Sequence, residues 1–203
     1  MTSRVEKYLA FCSTPFGKEL MDRETAYLIE ELQGRRRILD VGCGIGTFEQ
    51  RMSNFDISAI DIDDEMLKIA REKAPTAKFY NADATKIPFK DSFFDAVFFV
   101  TSLEFIDDYT KAIDESVRVL QPEGKLVLMM LNPESLYFKS HFKKRGSYFR
   151  KIKHQNLSEI SDYVSKLFKV STRYFLGIDR FRIFDTSDIK YASLLVLTGI
   201  KLS

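Results

Sequence analysis

From Arg36 onward, short apolar segments alternate with segments of helical periodicity, and this alternation constrains the fold more than any other feature of the sequence. The apolar segments are rich in β-branched and aromatic residues, as strands are, and read RRILDVG, ISAIDI, AKFYNA, DAVFFV and KLVLMML. Two intervening segments, DEMLKIAREKA and YTKAIDESVRVL, have the i, i+3, i+4 apolar spacing of helices. The alternation therefore predicts βαβ units around a parallel sheet, with AVFFV and LVLMML as central strands covered on both faces.

The C-terminal part follows a different pattern. After Pro133 no regular periodicity is present until about Leu157, so we interpret residues 133–156 as an insertion. The segment LSEISDYVSKLF then predicts a helix, and KVSTRYFLGI and YASLLVLTGI predict two strands. Because too few residues separate these strands for a helical crossover, we expect them to pair antiparallel.

Length, charge and cysteine usage exclude several classes of protein. A chain of 203 residues is long enough for one sizeable core, and a net charge of +2 does not by itself indicate a nucleic-acid or membrane partner. No stretch approaches the roughly 18 apolar residues of a membrane span, and the N-terminus lacks a long apolar segment. Cys12 and Cys43 form no C-x-x-C pair. We expect a cytoplasmic protein with neither a disulfide framework nor a metal site.

The segment ILDVGCGIGTFEQRM places three glycines directly after a predicted strand and before a predicted helix. Dinucleotide-binding turns use G-x-G-x-x-G to seat a pyrophosphate, but here the third glycine is Gly46 and the position that the pattern requires is Thr47. Asp40 would also place a carboxylate where the phosphate lies, at a cost of several kcal/mol. The turn therefore favours a ligand that carries a cation, such as an ammonium or sulfonium group.

This segment resembles the first motif of the class I S-adenosylmethionine-dependent methyltransferases. The resemblance continues collinearly to Asn132 through ISAIDIDDEMLKIAREKA, NADATKIPFKDSFFDAVFFVTSLEFIDD and ESVRVLQPEGKLVLMML. It is strongest with the small-molecule subgroup, the methyltransferase type 11-like proteins. It implies an α/β fold with a Rossmann-like, doubly wound, seven-stranded, mostly parallel sheet whose last strand is antiparallel, plus an N-terminal helical segment and a lid-like insertion. It also implies S-adenosyl-L-methionine as cofactor and S-adenosyl-L-homocysteine as product.

The resemblance assigns residues to the cofactor site, and several have chemistry suited to the role. Asp61 would accept hydrogen bonds from the ribose hydroxyls, and Asp83 from the exocyclic amine of adenine, unless Asp83 only stabilises an Asx turn. Ala84 would offer its backbone N–H to the adenine ring, and Thr101 would lie beside the methionine moiety. The complete predicted cofactor set is Asp40, Gly42, Cys43, Gly44, Gly46, Asp61, Ile62, Met66, Asp83, Ala84 and Thr101. The glycines would make room for the amino-acid end of the cofactor, and Cys43 would pack within the turn.

The methyl acceptor is not identified by the sequence. An activated methyl group needs alignment and exclusion of water more than a fixed nucleophile. A general base is needed only for some acceptors, and the candidates are His141, His154 and Tyr8, each with a purely structural alternative. VTSLEF after the fourth strand lacks the Asn/Asp-Pro-Pro-Tyr/Phe block of enzymes that methylate amide or exocyclic nitrogens.

Two segments could cover the acceptor. Residues 3–20 offer Tyr8, Phe11 and Phe16, and residues 133–156 combine five aromatic side chains with seven basic ones. The basic residues are Lys139, Lys143, Lys144, Arg145, Arg150, Lys151 and Lys153. We favour a lid with an apolar underside and a solvated basic face over a nucleic-acid surface.

We predict one methyltransferase domain over residues 1–203, divided into an N-terminal helical cap (1–35), a cofactor-binding core (36–132), a lid (133–156) and a C-terminal helix and strand pair (157–203). The leading function is methyl transfer to a small molecule. The alternatives are an RNA or nucleotide methyltransferase that uses residues 137–154, and a regulatory module that binds the cofactor without catalysis. Neither a membrane partner nor a particular oligomeric state is indicated.

Overall fold

The computed structural model describes residues 4–202, whose strands form one eight-stranded sheet in the order β3-β2-β1-β4-β5-β8-β6-β7. The strands are β1 (Arg37–Val41), β2 (Asp56–Asp61), β3 (Lys78–Asn81), β4 (Phe94–Val100), β5 (Leu120–Leu131), β6 (Phe168–Asp179), β7 (Arg182–Phe184) and β8 (Ala192–Lys201). The first five pair parallel, while β8 pairs antiparallel with both β5 and β6. The predicted Rossmann-like α/β fold, with β4 and β5 as inner strands, is confirmed.

The sheet has one strand more than the predicted seven. The additional strand, β7, is three residues long and folds back on the end of β6 as a hairpin. Its residues lack the length and alternation that would have marked a strand in the sequence. Residues 121–124, with the sequence QPEG, lie within β5. Here the pairing of β5 with β4 shifts register between Phe94 and Ala96, and Glu123 has a φ of 58°.

The helices of the described chain are α1 (Arg4–Ser13), α2 (Pro15–Glu31), α3 (Thr47–Arg51), α4 (Asp64–Lys73), α5 (Tyr109–Val119), α6 (Leu136–Phe142) and α7 (Leu157–Val164). Short 3-10 turns span Leu103–Phe105 and Tyr148–Lys151. Helix α2 begins at Pro15, where the side chain of Thr14 accepts a hydrogen bond from the N–H of Gly17. Helix α4 begins after Asp63, whose carboxylate accepts hydrogen bonds from two N–H groups of the first helical turn.

The helices cover both faces of the sheet. Phe98 and Phe99 are neighbours in β4 and point to opposite faces, so each belongs to a different core cluster. Helices α2, α3 and α4 pack on the side of Phe98, and α5 and α7 pack on the side of Phe99. Full coverage explains why the inner strands are apolar on both faces, and it leaves the carboxyl edge of the sheet as the place for a site.

No helix within residues 4–202 combines the length and apolarity needed to cross a bilayer. The same residues contain no group of three or more His, Cys, Asp or Glu side chains arranged to hold a metal ion. The division of the chain into cap, core, lid and C-terminal pair stays a prediction.

Candidate active site

The strand order reverses between β1 and β4, and the turn at 42–46 leaves β1 at this point. The carboxyl ends of parallel strands diverge here and leave a crevice, the usual ligand site of open α/β sheets. A hydrogen bond connects the ends of β4 and β1: the Ser102 hydroxyl donates to the carbonyl of Val41 at 2.6 Å. Thr101, predicted beside the cofactor, is half-buried in the left-handed region with a φ of 45°.

The three glycines of the turn serve different purposes. A Cβ at Gly42 would lie 2.5 Å from the Cβ of Ser102, and a Cβ at Gly46 would lie 3.0 Å from Ala70. A Cβ at Gly44 would meet only the sulfur of Met66, at an ordinary 3.5 Å. The prediction that the glycines make room for a ligand therefore applies to Gly44, whereas Gly42 and Gly46 make room for other parts of the protein.

Most N–H groups of the turn bond within the protein. Gly42 and Cys43 donate to the carbonyl of Ile60, at 2.8 and 3.1 Å, and Gly46 donates to the carbonyl of Cys43 at 3.1 Å. The N–H of Gly44 donates to the carboxylate of Asp61 at 2.8 Å. A phosphate cradle requires several such groups to point at the ligand. Their engagement agrees with the sequence argument against a pyrophosphate site.

Asp61 ends β2 and is fixed by two backbone donors. Its second carboxylate oxygen accepts from the N–H of Asp63 at 2.9 Å, and the residue stays half-buried at the crevice. Ile62, the next residue, is 72% exposed, which is unusual for a large apolar side chain. Its exposed apolar surface is suited to packing against a flat ring of a ligand. Met66 is buried against Ile45 and Val5.

Asp40 and Glu49 form a buried pair of carboxyl groups beneath the turn. Each is 1% exposed. Within residues 4–202, Oδ2 of Asp40 and both carboxyl oxygens of Glu49 accept no hydrogen bond from any other residue. The two acids can share a proton with each other. Burial raises the pKa of both groups, and the neighbouring Glu49 raises the pKa of Asp40 further. Unsatisfied buried acids are suited to the ammonium group of a ligand, and the role predicted for Asp40 stays a prediction.

The remaining predicted cofactor residues lie around the same edge. Asp83 is exposed, and its Oδ1 accepts hydrogen bonds from the N–H and the hydroxyl of Thr85, both at 2.8 Å. This is the Asx turn considered as its alternative role, and it leaves Oδ2 for a ligand. Ala84 is half-buried beside it. Cys43 is buried, burial raises the pKa of its thiol, and it packs in the core as expected.

The two segments expected to cover the acceptor contact each other. The ring of Phe16 in α2 lies 6.4 Å from that of Tyr137 in α6, and Tyr137 lies 5.8 Å from Phe149. Tyr148 stacks at 4.5 Å on Phe105, just beyond β4. Tyr8 packs against the cluster that contains Ile45 and Met66. We call these rings the aromatic wall: Tyr8, Phe11, Phe16, Phe105, Tyr137, Tyr148 and Phe149.

The three candidate bases are placed differently. Nε2 of His154 lies 2.8 Å from the carbonyl of Ile106 and 3.1 Å from that of Asp107, so this nitrogen is a donor fixed to the turn after β4. Nδ1 of His141 bonds the carbonyl of Tyr137, and burial lowers the pKa of His141. Burial raises the pKa of Tyr8 well above its ordinary value, which disfavours the phenolate. This geometry favours structural roles for both histidines.

The lid separates its apolar and basic residues. Phe138 and Ile152 are buried, whereas the seven lysines and arginines named above are all exposed. Lys139 pairs with Glu134 at 2.8 Å and Lys153 pairs with Asp107. This arrangement agrees with the favoured reading of the segment as a lid with a solvated basic face.

Three buried glutamates were not predicted. Glu24 is 4% exposed, and Glu49 and Glu104 are 1% exposed. One carboxyl oxygen of Glu104 accepts from the N–H of Leu131 at 3.0 Å, the other has no partner within residues 4–202, and burial raises its pKa to about 7. A signal was available for Glu24, because it interrupts the apolar spacing Leu20, Glu24, Leu28. Glu104 lies in the short turn after β4, and a turn of this length shows no periodic pattern in the sequence that would mark the residue as buried.

Comparisons with known proteins agree with this site. Residues 39–128 match the family model described as a methyltransferase domain. The chain is 33% identical over 166 residues to an uncharacterised protein of Methanocaldococcus jannaschii, covering 79% of this chain and 69% of that protein. It is 35% identical over 126 residues to the demethylmenaquinone methyltransferase of Thermus thermophilus, covering 58% of this chain. That alignment spans 57% of the Thermus enzyme, so the chain matches little more than half of it.

Solved structures show the same fold. A Thermotoga maritima protein, described as a SAM-dependent methyltransferase and possible histamine N-methyltransferase, superposes with a TM-score of 0.82 at 20% identity, covering 98% of this chain and 96% of that chain. A SAM-dependent methyltransferase from Archaeoglobus fulgidus gives a TM-score of 0.74 at 19% identity, covering 96% of this chain and 99% of that one. With the domain match and the geometry of the crevice, these similarities place the chain in the class I S-adenosylmethionine-dependent methyltransferase family.

Proposed function

We propose that this methyltransferase transfers the methyl group to a small organic acceptor held between the cofactor crevice and the aromatic wall. The observation that carries the proposal is the juxtaposition of two surfaces. Beneath the turn lies the unsatisfied Asp40–Glu49 pair, and Tyr8 of the aromatic wall packs against Ile45 and Met66 beside that turn. An apolar wall that faces a fixed polar crevice suits a small, partly aromatic molecule.

The residues present fit S-adenosylmethionine. Asp61 is oriented for the ribose hydroxyls, Ile62 offers an apolar surface for adenine, and the Asp40–Glu49 pair provides negative charge for the ammonium group. When bound, the cofactor supplies a methyl group already activated by a sulfonium centre. The chain contributes alignment and exclusion of water, which can lower the barrier by about 7–11 kcal/mol.

The names of the relatives do not select an acceptor atom. They include a ubiquinone/menaquinone biosynthesis C-methyltransferase, a malonyl-[acyl-carrier protein] O-methyltransferase and a possible histamine N-methyltransferase. Carbon, oxygen and nitrogen acceptors are therefore all represented.

Calorimetry with S-adenosylmethionine tests the cofactor half of the proposal. We expect one site in the native chain and loss of binding in Asp61→Ala and in Gly44→Val, because one removes the ribose acceptor and the other fills the open side of the turn. Glu65→Gln is a matched control, since Glu65 is an exposed acid on α4. Unchanged affinity in both site variants would overturn the assignment. A screen of amines, phenols, thiols, carboxylates and RNA for S-adenosylhomocysteine formation tests the acceptor half.

The basic lid supports RNA as a second candidate acceptor. Lys143, Lys144 and Arg145 are exposed, and no ion pair is recorded for them within residues 4–202. If RNA is the substrate, binding should weaken steeply with salt, and charge reversal at these three positions should weaken it further. Absence of RNA binding at low salt would eliminate this candidate.

A further inference from the structure

A cavity of about 240 Å³ lies between the two N-terminal helices and the helices of the core, and the proposed function does not use it. Residues of α1 and α2 line one side of the cavity, and residues of α3 and α4 line the other. Pockets that take drug-sized ligands measure roughly 300–1,000 Å³. The cavity therefore suits a ligand of few atoms.

The cavity lies at the far end of α4 from the glycine turn. Met66, in the first turn of α4, packs against Ile45 and Val5 beside the glycine turn. Lys73, the last residue of α4, lines the cavity. The seven residues between these positions correspond to about 10 Å along the helix axis. The cavity is therefore separate from the crevice that fits the cofactor.

Three cations line the cavity, and only one of them has an ion-pair partner within residues 4–202. Nε of Arg51 donates to the carboxylate of Asp22 at 2.8 Å. Lys18 and Lys73 have no hydrogen bond or ion pair within these residues. Asp22 is the one acid among the described lining residues, so the cavity carries an excess of two positive charges.

No other lining group offsets this excess. Burial raises the pKa of the Cys12 thiol, so the thiol stays neutral. Lys73 is half-buried, and burial lowers the pKa of its ammonium group, because a charge removed from water without a partner is unfavourable. An anion in the cavity would supply the missing partner.

The donors that remain for a ligand approach from three helices. Lys18 belongs to α2, Arg51 to α3 and Lys73 to α4. Arg51 uses Nη1 to bond the carbonyl of Thr47 at 3.2 Å, and its Nη2 takes part neither in this bond nor in the bond to Asp22. Donors from several directions suit a group whose oxygens also point in several directions.

A phosphate group has this shape and the matching charge. Its oxygens are arranged tetrahedrally, and a phosphate monoester carries a charge of about −1.5 to −2 near pH 7. A carboxylate has two oxygens in one plane and a single charge. Lysine binds phosphate as a point charge, and arginine binds it through the donors of its guanidinium group.

We propose that this cavity is a binding site for a phosphate group, either free phosphate or the phosphate ester of a small molecule, held by Lys18, Arg51 and Lys73. The site goes beyond the proposed function and does not depend on the methyl acceptor. An occupied site would join α2 to α3 and α4 through one ligand. Because a ligand that binds only the folded chain stabilises it, phosphate should raise the thermal unfolding midpoint.

Calorimetry of the full chain at low ionic strength tests the inference. The probes are inorganic phosphate, glycerol 3-phosphate and, as a singly charged control, acetate. We expect one site for at least one phosphate probe, with an affinity about tenfold or more above that of acetate. Tighter binding of glycerol 3-phosphate would identify the ligand as an ester, and tighter binding of inorganic phosphate would identify it as free phosphate. The inference is overturned if neither phosphate probe binds or if acetate binds equally well.

The same titration with the chain saturated with S-adenosylhomocysteine tests whether the site is separate. Phosphate should bind as well as it does without this ligand. Displacement of phosphate by S-adenosylhomocysteine would overturn the inference, because the cavity would then belong to the cofactor site.

Variants of the two lysines connect binding to the cavity. Lys18→Met and Lys73→Met should each reduce phosphate affinity about tenfold or more, because each removes a charged donor. Lys68→Met, which changes an exposed lysine of α4 outside the cavity, is the matched control and should keep the native affinity. Thermal unfolding without phosphate reports whether each variant is folded.

Lys18 is exposed, so its variant tests the site even if Lys73→Met fails to fold. Lys73→Met should not lower the unfolding midpoint in the absence of phosphate, since it removes a partly buried charge that has no partner. Unchanged phosphate affinity in either folded lysine variant would overturn the inference.

Discussion

The proposed cofactor side and the proposed acceptor side of the crevice are built in different ways. The cofactor side comes from two consecutive strand ends, and its backbone donors are satisfied locally by Ile60 and Asp61. The proposed acceptor side is assembled from α1, α2, the turn after β4 and α6, and its aromatic rings come from segments far apart in the chain. One side is fixed by short-range geometry, and the other depends on long-range packing.

This difference explains why one scaffold can serve many acceptors. On this proposal the parallel strand ends would hold the cofactor through local backbone geometry. Acceptor specificity would then lie in the cap and lid, which are added to the common core. Substitutions on the two sides should therefore separate cofactor binding from acceptor binding.

The largest effect is expected for Gly42→Ala, which tests whether the turn is limited by protein packing. The added Cβ would lie 2.5 Å from that of Ser102, in a residue with a φ of 86°, so we expect a loss of roughly 3–5 kcal/mol in unfolding free energy. Urea unfolding measures it. Gly44→Ala, with a φ of 55° and open space, is the control and should lose about 1 kcal/mol. Equal losses would show that packing against Ser102 is unimportant.

The next effect concerns Glu24 and pH. Its folded pKa of about 8 lies above its unfolded value, so its stabilising contribution is present below about pH 4.5 and is lost as pH rises toward 8. Between pH 5 and pH 8 the native chain should lose roughly 2–3 kcal/mol more unfolding free energy than Glu24→Gln. Urea unfolding at both pH values measures the difference. Parallel pH profiles for the two proteins would contradict the burial argument, and Glu30→Gln should match the native chain.

A smaller effect is expected for Glu49→Gln on the cofactor side. Removing one of two adjacent buried acids should weaken S-adenosylmethionine binding about tenfold to thirtyfold, because the ammonium group loses a charged acceptor. The ligand-free variant should be no less stable at pH 8, because the raised pKa values of the pair make it destabilising at high pH. Calorimetry and urea unfolding measure the two quantities. Weaker binding accompanied by a large loss of stability would instead indicate a purely structural pair.

The smallest effect is expected for His154→Phe. Loss of the hydrogen bonds to the carbonyls of Ile106 and Asp107 should destabilise the lid by about 1 kcal/mol and speed tryptic cleavage between Lys143 and Lys153. Cofactor affinity should stay within about twofold of the native value. Gln155→Ala changes an exposed neighbour and serves as the control. A loss of cofactor affinity would show that the two sides are coupled.

The sequence was sufficient to predict the parallel core and the glycine turn after β1. These features depend on residues that are close in the chain, such as Asp40, Gly42 and Gly44, so they can be predicted from the local sequence pattern. The pairing of β6 with β8 was also predictable, because their separation was too short for a helix. Strand β7 was not predictable, since its three residues are stabilised only by contact with the end of β6.

By itself, therefore, the sequence determined the fold, because strand periodicity acts locally, while the cofactor was implied by the resemblance to a known family. Only the tertiary structure decided that Gly42 makes room for Ser102, that Asp40 and Glu49 are buried next to each other, and that Glu24 of α2 is buried. Gly42 and Ser102 belong to different elements, as do Asp40 and Glu49, so local sequence pattern does not show that they meet. Burial then raises the pKa of the buried carboxyl groups, because a carboxyl group removed from water holds its proton more tightly.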